Sequence, residues 1–335
     1  MSKTFFIENT VAKLPEDWDS LAACYFQKKE FLHHCEKYNP CNQRYYMMYD
    51  NKALIACAVV YSIRLDLLTF LRIKSPLKMH IAGIPCSVSC PGIFGAEEAG
   101  EEIKKYIFEK EKGFVLALNL LQSSKTKNIA SGNTLPTIIL KNNFASWEDY
   151  TGALRADYRR RLKHILSNEA IKINRNNCSH FTEEMYTQYL SVHGKSKDKL
   201  EKLTFDFFKN LPECFCLWTC LNEDKLIGWD ITVYENSVYY FFLGGIDYHY
   251  NKENSTYFRL LLNIIEDAIS LKAEYVDLGQ TAEIPKMRIG GLPEKRYMEA
   301  RHSNKLFNVL INKFEGSLEY RRKLETVHVF KQEVL

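Results

Sequence analysis

The chain has 335 residues, longer than one hydrophobic core usually serves, and its 46% hydrophobic and 26% charged residues exclude a disordered chain. Lys and Arg total 45 against 41 Asp and Glu, a net charge of +4. An excess this small does not imply a dedicated nucleic-acid binder, so any anion site must be a local cluster. Residues Met1–Glu8 lack the apolar run of an export signal, and no stretch approaches the roughly 18 apolar residues of a membrane span. The ten cysteines are therefore expected as reduced thiols in a cytoplasmic protein.

In chain order, the aromatic-rich Leu21–Phe31 is expected as helix, and Tyr45–Tyr49 and Leu54–Ile63 as strands joined by the turn Asp50-Asn51-Lys52. His33, His34, Cys35 and Cys41 look like ligands, but no partner pair with metal spacing follows, so no metal is expected. A third apolar segment and a punctuated loop, Pro85–Gly95, lead to a helix over Glu97–Lys112 that Gly113 stops. A buried-type strand, Phe114–Leu121, comes next. Ser123–Asn133 reads as loop and Thr137–Leu140 as a short strand. The change of pattern here places one domain over residues 1–140 and a second over 141–335.

The second half opens with Trp147 and a basic helix, Leu154–Leu166, whose buried stripe is Leu154, Tyr158, Leu162 and Ile165. Arg155, Arg159 and Lys163 share another face, where like charges repel by a few tenths of a kcal/mol per pair. An anion relieves that repulsion, and so does solvation. Glu183–Val192 and Phe205–Leu211 read as helices. Three strands follow, Cys214–Leu221, Leu226–Tyr234 and Val238–Ile246, joined by tight turns into an antiparallel meander. Cys214, Cys216 and Cys220 fall on one face and read as small core residues. A polar loop, Asp247–Ser255, precedes a helix over Thr256–Leu271 that turns Leu261, Ile264, Ile265 and Ala268 inward. The strand Tyr275–Gly279 closes the unit. The turn after it carries Lys286 and Arg288 before Gly290-Gly291, at the strand end where ligands of α/β sheets collect. No Ser-His-Asp spacing, Walker loop or GxGxxG run offers another enzyme class.

Three meander strands, a loop, a helix and a closing strand are the core order of the GNAT fold. The chain resembles the FemAB-like, peptidoglycan-biosynthesis-related branch of that superfamily. Two landmarks carry the resemblance: Trp147 with the basic helix Leu154–Lys163, and Asp277-Leu-Gly279 with Lys286-x-Arg288-x-Gly290. It covers Thr137 to His302, and the N-terminal half by architecture alone. The resemblance implies an α/β (α+β) chain of two tandem GNAT-like domains, each a mixed, mainly antiparallel sheet flanked by helices, with the working site in the second.

The function implied is N-acyl transfer from acetyl-CoA or another acyl-CoA to an amine of a small-molecule or cell-wall-precursor-like acceptor, without a metal. In such folds the helix after the meander aims its N-terminus at the donor's pyrophosphate. That assigns Gly244, Gly245, Asn251, Lys252, Asn254 and Ser255 to the donor, with Asn254 or Ser255 as N-cap and the glycines as a strand bulge. The usual glycine-rich pattern is missing from this loop. Asp230, Tyr248, His249 and Glu283 are the candidates for proton transfer, Tyr248 as donor to a leaving thiolate. Arg159, Lys286 and Arg288 are the candidates for holding substrate. Two alternatives stand beside this reading. One is aminoacyl-tRNA as donor, as in the Fem enzymes, although His193–Leu211 is too short for the coiled-coil arm those enzymes carry. The other is a non-catalytic GNAT-fold binding protein, which the missing glycines favour.

Overall fold

The computed structural model describes residues 3–65, 77–86, 88–124, 126–196, 201–314, 316 and 319–331. In chain order the first elements are β1 (Lys3–Glu8), α1 (Lys29–Tyr38), β2 (Arg44–Asp50), β3 (Ala53–Leu65), β4 (Leu77–Ala82), β5 (Ile93–Gly95), α2 (Glu97–Lys110), β6 (Phe114–Leu120) and β7 (Ala130–Asn133). The helix expected over Leu21–Phe31 begins only at Lys29. Before it, the Gln27 side chain accepts from the backbone N–H groups of Ala23 and Cys24, and Trp18 donates to the Gln27 carbonyl. Side chain and backbone thus compete with the helical ladder and win. The end of the expected loop Ser123–Asn133 is β7.

The chain continues through β8 (Thr137–Lys141), α3 (Trp147–Ala153), α4 (Ala156–Leu166), β9 (Ile171–Asn177), α5 (Glu183–Lys195), α6 (Phe205–Lys209), β10 (Phe215–Asn222), β11 (Lys225–Glu235) and β12 (Val238–Ile246). Then come α7 (Tyr248–Asn254), α8 (Thr256–Ser270), β13 (Tyr275–Asp277), α9 (Glu283–Met287), β14 (Leu292–Glu294), β15 (Tyr297–His302) and α10 (Lys305–Lys313). The basic helix is interrupted at Leu154 and Arg155, both extended, where Leu154 bridges to Phe330. The polar loop Asp247–Ser255 is mostly α7, capped by the Asp247 carboxylate on the His249 N–H.

Two compact units result, each a sheet with helices. One is Met1–Leu135, Leu200–Leu203 and Lys295–Arg322; the other is Pro136–Lys199, Thr204–Glu294 and Lys323–Leu335. The units therefore exchange chain. β8, read as the end of the first domain, belongs to the second sheet, and β15 returns to the first. The sheet orders are β1-β2-β3-β4-β6-β15-β7, with β5 on β3, and β14-β8-β13-β12-β11-β10-β9. Every pairing is antiparallel except β4 with β6 and β12 with β13. The sequence expectation of mixed, mainly antiparallel sheets flanked by helices holds for both units.

In the second unit α8 buries Leu261, Ile264, Ile265 and Ala268 against Leu162 and Ile165 of α4, Ile138 and Leu140 of β8, and Val276 of β13. Each large side chain so buried contributes roughly 1.5–3 kcal/mol. The opposite face of the sheet turns Trp229 toward Phe181 and Phe208, with its indole N–H donating to the Met185 carbonyl.

Of the three cysteines expected in the core, Cys220 is buried, Cys216 half-buried and Cys214 exposed, because β10 begins only at Phe215. Cys24 and Cys90 are joined in a disulfide, against the expectation of thiols throughout. Among the described residues no cluster of His, Cys, Asp and Glu is arranged to hold a metal, and no helix is long and apolar enough to cross a membrane.

Candidate active site

The site begins where two parallel strands part. β12 pairs with β13 for three residues only, ending at Tyr240↔Asp277. On its other side β12 carries one extra residue, Phe242, since Ile231 pairs with Leu243 and Thr232 with Phe241. A bulge of this kind bends its strand away from its neighbour. β13 leaves in turn through Gly279, whose φ of +72° suits a residue without a side chain. The Asp277 carboxylate holds this departure, accepting from the Thr137 hydroxyl at 2.9 Å and from the Gly279 N–H at 2.7 Å. The two strands thus splay into a wedge, across which a Cβ on Gly279 would stand 3.7 Å from the Phe241 carbonyl.

Lys286 lies in that wedge. It comes from α9, the helical turn standing where the sequence suggested an irregular one, and only 2% of it is exposed. Its Nζ donates to the Gln280 carbonyl at 2.7 Å and sits 5.4 Å from the centre of the Phe241 ring. Burial pushes the ammonium down to about 7, against the pull of Asp277 and Glu283, which favour the charged form. An amine in this state exchanges protons near neutral pH.

A second set of titratable side chains acts on Tyr257 in the first turn of α8. Burial raises its phenol, and the charges of Asp230, Tyr248 and Glu283 add to the rise, which places all three within electrostatic reach of it. Asp230 is 1% exposed, and neither carboxylate oxygen has a hydrogen-bond partner among the described residues. Burial, reinforced by Asp267, holds its carboxyl well above the usual range and favours the neutral acid. Glu283 is buried as well, whereas Tyr248 is exposed and lies under the Lys195 ammonium.

The N-terminus of α8 is not laid out as expected. Ser255 adopts a left-handed conformation and makes no side-chain cap. The Tyr257 N–H is taken by the Asn251 side chain at 3.0 Å, and the Asn254 carbonyl by Arg259 at 3.2 Å. Asn251 is thus the cap in place of Asn254 or Ser255, because α7 folds its own side chain onto the helix end. Beside this turn Arg161 of α4 stacks on the Phe258 ring at 4.5 Å. Burial and then the nearby charge of Arg288 lower the affinity of Arg161 for its proton. The guanidinium groups of Arg161 and Arg288 thus lie within electrostatic reach of each other.

Of the residues singled out from sequence, Asp230, Tyr248 and Glu283 lie within electrostatic reach of Tyr257, and Glu283 within reach of Lys286. Arg288 is exposed next to Arg161. His249 stands apart, exposed and edge-on to Tyr250, and Lys252 is exposed. Arg159 reaches back to the Gly152 carbonyl at 3.5 Å, and the arginine that meets α8 is Arg161. Gly244 and Gly245 pair in register with Asp230 and Trp229, so the bulge falls at Phe242 instead. A Cβ on Gly245 would come within 2.4 Å of the Trp229 indole, so this glycine makes room for the tryptophan. Sequence reasoning missed Tyr257, Arg161 and Asp277. For Arg161 a signal existed, since it stands three residues after Tyr158 and four before Ile165, beside the buried stripe of a helix read as basic.

Comparison with known proteins agrees with this architecture. The family model described as an acetyltransferase (GNAT) domain matches residues 152–295. No curated protein matches the chain. Among solved structures, FemX superposes with a TM-score of 0.55 at 9% identity, covering 93% of this chain and 100% of that one. A conserved protein of unknown function from Bacteroides thetaiotaomicron gives 0.51 at 10%, covering 89% and 100%. The L-PGS of Bacillus licheniformis gives 0.50 at 10%, covering 90% and 97%. Residues 152–295 thus match the GNAT domain model, and the fold of the whole chain is similar to that of FemX.

Proposed function

We propose that the second unit transfers an acyl group from an activated ester or thioester to an amine, with the acyl arm lying in the wedge between β12 and β13. The observation that supports it is Lys286, a buried amine in that wedge whose charged form is disfavoured. The acceptor amine attacks the acyl carbonyl carbon, so that a C–N bond forms and the C–S or C–O bond to the carrier breaks. The ammonium formed in the attack gives its proton to neutral Lys286. The departing thiolate or alkoxide takes one from Tyr248, with Asp230 nearby as a neutral acid. No covalent enzyme intermediate is required. Arg161 and Arg288 offer charge-assisted hydrogen bonds to a phosphate of the donor.

The donor has two readings. Acyl-CoA is the ordinary partner of the GNAT fold. The state of α8 favours the other, aminoacyl-tRNA: the Tyr257 N–H that a pyrophosphate would take is already bound by Asn251. A transfer assay with labelled acyl-CoAs, labelled aminoacyl-tRNAs and a panel of amines separates them. Product from one donor class, reduced about 100-fold or more in Lys286→Met, supports the proposal. A thermal-shift series with CoA adds an independent reading, because a ligand at about 100 times its Kd stabilises by about 2.7 kcal/mol. If neither donor yields product while a metabolite still stabilises the fold, the protein is a non-catalytic binder and the proposal fails.

A further inference from the structure

The helix α10 is built inside out. Its inward side carries Asn308, 8% exposed, whose amide donates to the Asn128 carbonyl at 2.8 Å and whose side-chain oxygen accepts from the His302 N–H at 2.9 Å. Its outward side carries Leu306, Phe307, Val309 and Leu310, and Phe314 follows directly. Leu306 is 79% exposed and Val309 65%. The spacing i, i+3, i+4 and i+8 sets Leu306, Val309, Leu310 and Phe314 on one face, with Phe307 at its edge beside His302. Of the twelve exposed large hydrophobic side chains among the described residues, five lie in these nine positions. An ordinary surface helix turns such a stripe to the core; here asparagines anchor the helix and the stripe is left outside.

The charge around the face selects its occupant. Lys305 and Lys313 stand at the two ends of the helix, both exposed, and no Asp or Glu occurs between Arg301 and Phe314. A second copy docked antiparallel would set Lys305 against Lys313 of its neighbour. Five apolar side chains also fall well short of the roughly 20–30 residues per side of a stable protein interface. An apolar face rimmed by lysines answers instead to a surface that is apolar below and anionic above, with the lysine stems lying along the boundary and their ammonium groups among the headgroups.

We propose that α10 is an interfacial helix that seats the first unit on a bilayer surface bearing anionic headgroups. The proposal does not depend on the acyl-transfer reading, since no residue of the second unit enters it. The test is co-flotation of the full chain with vesicles of phosphatidylcholine, with and without phosphatidylglycerol. Binding is expected only with phosphatidylglycerol present and to weaken with added salt, and Leu306→Glu with Leu310→Glu is expected to lower it about tenfold or more. Lys305→Gln with Lys313→Gln is expected to weaken the preference for phosphatidylglycerol while leaving the melting temperature unchanged. Failure of the wild-type chain to float overturns the proposal, as does flotation that the Leu306/Leu310 pair of substitutions leaves intact. A concentration-dependent dimer abolished by that pair overturns it too, because the face would then belong to a second copy.

Discussion

Each sheet carries one parallel strand pair, and the residues just beyond the two pairs hold their strands differently. In the first unit the parallel pair β4–β6 ends at Ala82↔Ala117, and Asn119, two residues on, has a φ of +59°. In the second, β12–β13 ends at Tyr240↔Asp277, and Gly279, again two residues on, has a φ of +72°. The Asn119 side chain donates to the Val88 carbonyl at 2.9 Å and ties the loop after β4 to the end of β6. Gly279 has no side chain to give, and a Cβ there would stand 3.7 Å from the Phe241 carbonyl and 3.9 Å from Lys286 Nζ.

Buried charge divides the same way. In the first unit Lys104 pairs with Glu299 at 3.0 Å, and Glu111 accepts from Arg44 at 2.6 Å and from the Tyr46 hydroxyl at 2.7 Å. In the second, Asp230 has no hydrogen-bond partner among the described residues, and the Lys286 ammonium donates to a carbonyl. Paired charges brace a fold at little net gain, whereas a desolvated acid or amine costs stability and persists where chemistry uses it. By this measure the desolvated groups that the proposed chemistry would use lie in the second unit.

Lys286→Met separates the two roles most widely. Transfer is expected to fall about 100-fold or more. Stability moves the other way. The folded-state pKa of Lys286 lies below its unfolded value, so the unfolded chain binds more protons between about 7 and the unfolded pKa, and the penalty of burying the ammonium is full below about 7. Methionine removes that penalty and loses the bond to Gln280. Melting at pH 6 is therefore expected to hold or rise, and to gain less on wild type as pH climbs toward 10. A clear fall in melting temperature with activity intact would make Lys286 a brace.

Exchanging the two turn residues comes next. Gly279→Asn keeps a residue that tolerates a left-handed conformation but fills the wedge, and a loss of activity of about tenfold or more is expected with the fold intact. Asn119→Gly keeps the backbone and removes one hydrogen bond, costing about 0.5–1.5 kcal/mol and no activity. Equal effects of the two on transfer would erase the distinction between the units. Asp230→Asn should have the smallest effect on the fold and the clearest dependence on pH. The folded carboxyl keeps its proton to higher pH than the unfolded one, so wild type loses stability as pH rises above about 4. The asparagine variant does not, and its advantage in melting temperature should widen with pH; a constant difference would mean that Asp230 is ionised in the fold.

Much of the fold was legible because its signals are local. The meander over β10, β11 and β12, the inward face of α8 and the stop at Gly113 follow from alternation, helical spacing and turn chemistry. The placing of β8 and β15 was not legible, since short strands such as Thr137–Lys141 and Tyr297–His302 take their partners from residues far away in sequence. The site divides similarly. Asp230 and Lys286 stood out as polar residues in apolar or constrained settings. Tyr257 looked like one more aromatic in a helix, and its place among Asp230, Tyr248 and Glu283 depends on how α8 lies on the sheet. Arg159 was chosen over Arg161 because it lines up with Arg155 and Lys163, whereas Arg161 stands beside the stripe that packs on α8.

The most direct test of the wedge as the site of acyl transfer is the pH dependence of kcat/KM for the full chain with its best donor. If neutral Lys286 takes the proton of the attacking amine, kcat/KM rises about tenfold per pH unit below about 7 and levels off above it. Lys286→Met should be low throughout and lack that limb. A wild-type profile without a limb near 7, or a methionine variant that keeps it, would contradict the assignment.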